Sequence, residues 1–231
     1  MRSPLPIQKN PVFTFRRRPL KKFIVLLIVF FIPAVVHADG PILERPHWSL
    51  EVKGGTFTPA LSNWAQYYNK RSMPAFEGSL AYKLNRQIDI GISGGYAKDK
   101  GHAYAQVHNA SAGEVTYRIA PINFFILLRG LVSENQWLVP YVGGGFTRLY
   151  YQEKIEGQDS VNGSVDGYHA RGGLQFLLDG LDGNAATRMY MDYGVHHTYL
   201  FVEAEYTHAI VRSVAINLGG TAYLMGFLFE F

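Results

Sequence analysis

Apolar and polar residues alternate with a period of two over several long stretches of this chain. In 75–84, Phe76, Gly78, Leu80, Tyr82 and Leu84 fall on one face, and Ala75, Glu77, Ser79, Ala81 and Lys83 on the other. Two polar residues, Asn85 and Arg86, separate this run from 87–97, where Ile88, Ile90, Ile92, Gly94 and Tyr96 oppose Gln87, Asp89, Gly91, Ser93 and Gly95. Successive side chains of a strand point to opposite faces, so the two runs predict a tight antiparallel hairpin. Four more runs repeat the theme. Trp48, Leu50 and Val52 oppose Ser49, Glu51 and Lys53 in 47–58. Tyr168, Ala170, Leu174 and Phe176 oppose His169, Arg171, Gln175 and Leu177 in 166–178. Leu200, Val202, Ala204 and Tyr206 oppose Glu203, Glu205 and Thr207 in 198–208. The run 137–151 is rich in glycine and aromatics. The run 115–131 is nearly all apolar in its second half, which leaves its facing ambiguous, and the last run covers 213–231.

Eight such runs predict an all-β fold, an eight-stranded antiparallel transmembrane β-barrel over residues 39–231. An even strand number returns both ends of the barrel to one side, the periplasmic one in bacterial barrels. The connections 59–73, 99–113 and 152–164 are then extracellular, with an almost absent fourth near 209–212. Asn85-Arg86 and 133–136 are periplasmic turns, and the long connection 180–197 has room for a short helix over 184–192. No stretch after residue 38 has the roughly 18 consecutive apolar residues of a membrane helix.

A soluble lipocalin-like barrel also alternates, but with its apolar face inward. The aromatic content argues for the membrane alternative: 15 Tyr, 15 Phe and 3 Trp, with Trp48, Trp137, Tyr150, Tyr151 and Tyr199 near strand ends, suit interfacial girdles. Polar residues on the second face then line the interior.

The first 38 residues carry seven Lys or Arg, no acidic residue, an unbroken apolar run from Phe23 to Ile32 and a Val36-His37-Ala38 ending. This is the pattern of a secretory signal peptide over residues 1–38, too short in its apolar run to span a bilayer. The chain as a whole has 22 Lys plus Arg against 18 Asp plus Glu; beyond residue 38 the balance is 15 against 18. The basic character therefore belongs to targeting, and nucleic acid is not an expected partner. There is no cysteine, which excludes disulfides, thiolate chemistry and a lipid-modified N-terminal cysteine. A closed hydrogen-bonded barrel is one alternative source of stability.

The final run places Tyr223, Met225, Phe227, Phe229 and Phe231 on one face. Its upstream half, with Val214, Ile216 and Leu218, has the opposite phase, so a bulge or kink is expected at Gly219-Gly220. In these features the chain resembles the small outer-membrane β-barrel superfamily of OmpA-, OmpX- and OmpW-like proteins. Three segments, 141–146, 172–182 and 194–206, resemble more narrowly a poorly characterised barrel family of delta-proteobacteria. The resemblance implies the outer membrane as location. It also implies lipids, including lipopolysaccharide, as partners. The stripe Tyr223, Phe227, Phe229 and Phe231 would be the signal read by the barrel assembly machinery. No established activity comes with it.

Candidate chemistry gathers on the polar face: Glu51, Lys53, Glu77, Lys83, Arg129, Arg171, Glu203 and Glu205. An eight-stranded barrel is only wide enough inside for side chains to fill. Charges there must pair, as a structural salt-bridge plug or as a gated polar pore or proton path. His196 and His197 are adjacent on an extended segment and so point apart, which disfavours a shared metal even with Asp192 or His208. His102 and His108 fall in a predicted surface loop. Lipid A deacylases of this architecture place a Ser two residues after a His; here Ile210 follows His208, Ser213 is displaced, and no Gly-x-Ser-x-Gly elbow is present. The loop 59–73 holds Trp64, Tyr67, Tyr68, Lys70 and Arg71, a surface-binding or outer-girdle cluster. The expectation is a non-enzymatic barrel without metal or cofactor. Its lumen is filled, its loops are exposed and its role is structural or passive; a narrow solute channel and a lipid A-modifying enzyme are the alternatives.

Overall fold

A computed structural model of the chain describes residues 45–61, 64–68, 70–104, 111–133, 136–157, 159–211 and 215–231. Residues 1–38, where a signal peptide is expected, His108 and Ser213 lie outside the described residues, as do the side chains of Tyr67 and His102.

Among the described residues, eight strands close an antiparallel barrel: β1 (Trp48–Pro59), β2 (Met73–Lys83), β3 (Ile88–Tyr104), β4 (Ser111–Arg129), β5 (Leu138–Ile155), β6 (Val161–Leu177), β7 (His197–His208) and β10 (Gly220–Glu230). Each pairs with its sequence neighbour, and β1 closes the ring against β10 from Ser49↔Glu230 to Pro59↔Gly220. His47 N–H donates to the Phe231 carbonyl at 2.7 Å and Phe231 N–H to the Trp48 carbonyl at 2.9 Å, which ties off the seam. Two helices, α1 (Trp64–Tyr68) and α2 (Gly183–Tyr193), and a two-residue ladder of β8 (Ile210–Val211) with β9 (Ile216–Asn217) decorate the connections.

The outward face is apolar along most of the wall: Val52 is 58% exposed, Phe124 56% and Tyr223 63%. The inward face of the same strands buries Glu51, Lys53, Asn123 and Glu203. A wall apolar outside and polar inside is stable in lipid, where every backbone group must find its partner within the ring. The molecule is a membrane-spanning barrel.

Several expectations need correction. The run 213–231 is two elements: Ile216–Asn217 pairs with Ile210–Val211, and the barrel strand starts at Gly220. No bulge shifts its phase, since Leu218, Ala222, Leu224 and Leu228 are all buried on the inward side. The connection between β7 and β10 therefore carries a two-residue ladder of its own among the described residues. The 99–113 and 152–164 connections are largely strand, because β3–β4 and β5–β6 run on past the ends of their neighbours. The ambiguous run resolves with Asn123, Phe125, Leu127 and Arg129 inward and Phe124, Ile126 and Leu128 outward. Tyr199, expected in a girdle, is fully buried in the lumen under the Arg129 guanidinium, 5.3 Å from its ring centre.

The helix expected near 184–192 is α2. Asp182 caps it, accepting from Asn184 and Ala185 N–H, and Gly194, at φ 70°, ends it in the left-handed conformation that glycine adopts without strain. Asp179 fixes the following strand, accepting from Thr198 N–H at 3.0 Å and facing His197 Nδ1 at 2.8 Å. His197 thus meets a carboxylate, and no group of three or more potential metal ligands occurs among the described residues.

Candidate functional site

The lumen is built in layers, and alternation sends every second residue of each strand into one of them. Nearest the chain ends, Lys83 of β2, Asp89 of β3, Arg129 of β4 and Glu230 of β10 meet. Lys83 Nζ donates to Glu230 at 2.6 Å and lies 3.8 Å from Asp89; Arg129 also binds Glu230 and donates to Gln175 Oε1 at 3.0 and 2.7 Å. Around this cluster pack Leu131, Val139, Tyr199, Phe201 and Leu228, an apolar belt that shuts the end.

At mid-height six charged side chains form one network. Lys53 Nζ donates to Glu203 at 2.6 Å and lies 3.0 Å from Glu77 and 3.8 Å from Glu205. Arg171 holds Glu51 at 2.9 Å and approaches Glu203 at 3.6 Å, and its guanidinium sits 4.1 Å over the centre of the Phe125 ring. Ser79 and Tyr141 hydroxyls donate to Glu51 and Glu203, each at 2.8 Å. Above lies a neutral polar layer: Asn123 donates to Ser93 at 3.1 Å, Thr147 donates to Asn123 at 2.8 Å, and Thr147 contacts His169 Nδ1 at 2.9 Å.

The far end is stoppered by an apolar cluster. Trp64 and Tyr68 of α1 stack with ring centres 3.8 Å apart, and Tyr117 meets Trp64 edge-on at 5.3 Å. Phe57, Met73, Ile119, Leu149 and Leu224 complete it. Trp64 is only 3% exposed. Trp64 and Tyr68 are therefore neither a binding surface nor a girdle; they cap the bore, while Lys70 and Arg71 are exposed. Burial pushes the Tyr68 phenol above its ordinary range, so it stays uncharged in the stopper.

The structure thus places all eight charged residues singled out in the sequence inside the lumen and splits them between two clusters: Lys83 and Arg129 in one, the other six in the second. It adds Glu230, Asp89, Tyr141, Gln175 and His169, all on inward positions. Of the terminal stripe, Tyr223, Met225 and Phe227 are exposed on the outer wall and Phe229 is partly covered, its ring 6.5 Å from that of Phe227. A cavity of about 30 Å³ lies between network and stopper, lined by Glu77, Glu205, Ile119, Leu149 and Leu224 among others. Chemically the arrangement supports charge pairing and exclusion of water.

No protein-family model and no curated protein matches this sequence. Among solved structures, the crystal structure of Neisserial surface protein A is similar with a TM-score of 0.54 at 10% identity, covering 80% of this chain and 97% of that one. The outer membrane protein OprG from Pseudomonas aeruginosa gives a TM-score of 0.54 at 11% identity, covering 81% and 97%. At such identities the likeness is one of fold, and it is the fold of small bacterial outer-membrane barrels.

Proposed function

We propose that this chain is an outer-membrane barrel protein with a sealed lumen that serves a structural role and presents the β3–β4 and β5–β6 hairpins at the cell surface. The observation that carries this reading is the continuity of the filling, since two charge clusters, an apolar belt and an aromatic stopper follow one another along the bore. Buried ion pairs with added hydrogen bonds stay closed, because separating them exposes bare charges to a low-dielectric interior. The apolar wall suits lipid as the immediate partner, with Lys70 and Arg71 placed to meet anionic headgroups such as those of lipopolysaccharide. The terminal stripe supports delivery by the barrel assembly machinery.

Planar-bilayer recording of the refolded protein tests this. Flat current traces are expected at moderate voltage; regular conductance steps that change when Arg171 or Glu203 is neutralised would replace the sealed barrel with a narrow channel.

A further inference from the structure

The six charged side chains of the middle network do not balance. Glu51, Glu77, Glu203 and Glu205 face only Lys53 and Arg171, whereas the cluster nearer the chain ends sets Asp89 and Glu230 against Lys83 and Arg129. A titratable group kept from water and short of a counter-charge gives its charge up. The shortage falls unevenly. Glu203 and Glu51 each take short bonds from a cation and a hydroxyl. Glu205 has a 3.3 Å bond from Thr207 on Oε1, while its Oε2 has no hydrogen-bond partner and lies 3.8 Å from Lys53; its side chain is 5% exposed. Glu77 Oε1 is 3.0 Å from Lys53 but off the hydrogen-bonding direction, so it too takes no hydrogen bond. Both residues line the same small, mostly apolar cavity beneath the stopper.

We propose that Glu205 is a proton-binding site: set beside Glu77 on a single shared Lys53, with one oxygen unpartnered, it holds a proton and carries no charge. Two carboxylates in one water-poor space behave in this way in general. The groups that act on the pair are Lys53 from β1, His169 and Arg171 from β6, and Glu203 and Thr207 from β7, with Glu51 of β1 and Tyr141 of β5 one contact further away through Arg171 and Glu203. His169 does not supply the missing positive charge. The Thr147 hydroxyl donates to Asn123, so it accepts from Nδ1–H of His169, and burial of an unpartnered Nε2 favours the neutral ring, since a second N–H there would be left without an acceptor. A metal ion is not matched either, because no group of three ligands is available among the described residues.

Infrared spectra of the protein refolded in phospholipid vesicles at neutral pH test the proposal. The carbonyl stretch of a protonated carboxylic acid is expected in the wild type and lost in Glu205→Gln. That variant should still run as a folded, heat-modifiable barrel, because the amide replaces an acid that was already neutral. If Glu205→Gln does not fold, Glu77→Gln is the second variant, in which the stretch should shift because the neighbouring carboxylate on Lys53 is gone. A folded wild type without the stretch overturns the site, as does an unchanged stretch in both variants. Thermal stability that follows sodium concentration at fixed pH, with no such stretch, would put a metal cation in the cavity instead and also overturns it. The site goes beyond the sealed-barrel reading: conductance steps alone would remove the seal and leave the infrared result standing.

Discussion

Arg171 joins two of the four mid-lumen carboxylates, Glu51 and Glu203, and no other described cation reaches Glu51 within ion-pair distance. Arg171→Met should therefore cost about 3–5 kcal/mol, the loss expected when one partner of a buried pair is removed. Adding Glu51→Gln to it should restore part of that loss, since the two residues are in contact. Urea unfolding in vesicles, followed by gel mobility without boiling, measures both. Parity in the sequence places this residue correctly, because Arg171 alternates with Ala170 and Gly172 on a regular strand. The same parity with Glu203 and Glu205 puts Tyr199 inside, yet an aromatic residue near a strand end reads more readily as girdle. Glu230 was open to the same reasoning: it is the lone carboxylate opposite the terminal aromatic stripe.

At the scale of elements, β5 approaches β4 so closely at Gly145 that an added Cβ would stand 2.0 Å from the Phe124 carbonyl oxygen, whereas at Gly94 it would meet nothing within 4 Å. Gly145→Ala should then destabilise the barrel by roughly 1–3 kcal/mol, as overpacking does. Gly94→Ala should be near neutral in the same unfolding assay, and equal effects at the two sites would contradict the strand spacing described. The hairpin β2–β3 is plain in the sequence because one face meets lipid and the other a polar bore. In β4 the contrast fades, since Phe125 and Leu127 turn inward to an apolar belt while Phe124 and Ile126 face lipid. Beyond the membrane the apolar phase disappears again, so the upper parts of β3 to β6 look like polar loops. The stopper's one local signal is the spacing of Trp64 and Tyr68, four apart and thus stacked on one turn of helix.

For the whole molecule, the apolar wall predicts where substitutions are tolerated. Phe124→Arg, on the outer face at mid-wall, should cost about 2–4 kcal/mol in lipid. Lys70→Ala and Arg71→Ala, on exposed positions outside the bilayer, should leave the unfolding midpoint nearly unchanged. If Phe124→Arg were equally harmless, the outer face would be meeting water. Closed eight-strand architecture, strand order and inward-facing charge were all legible from alternation, whereas the internal layering was not. It depends on which inward residues share a height, and that is set by strand stagger across the whole ring.

The seam between β1 and β10 joins Ser49 to Glu230, residues almost a whole barrel's worth of chain apart. Every other strand pair in the ring can form as a local hairpin or a neighbour contact, at a modest loop-closure cost. This pair has the largest sequence separation in the ring, so loop-closure entropy predicts that its closure comes last. Until then two strand edges stay open to any other unpaired strand. A chain stopped before Thr221 would keep those edges for good, and its expected fate is capture or aggregation rather than a smaller barrel.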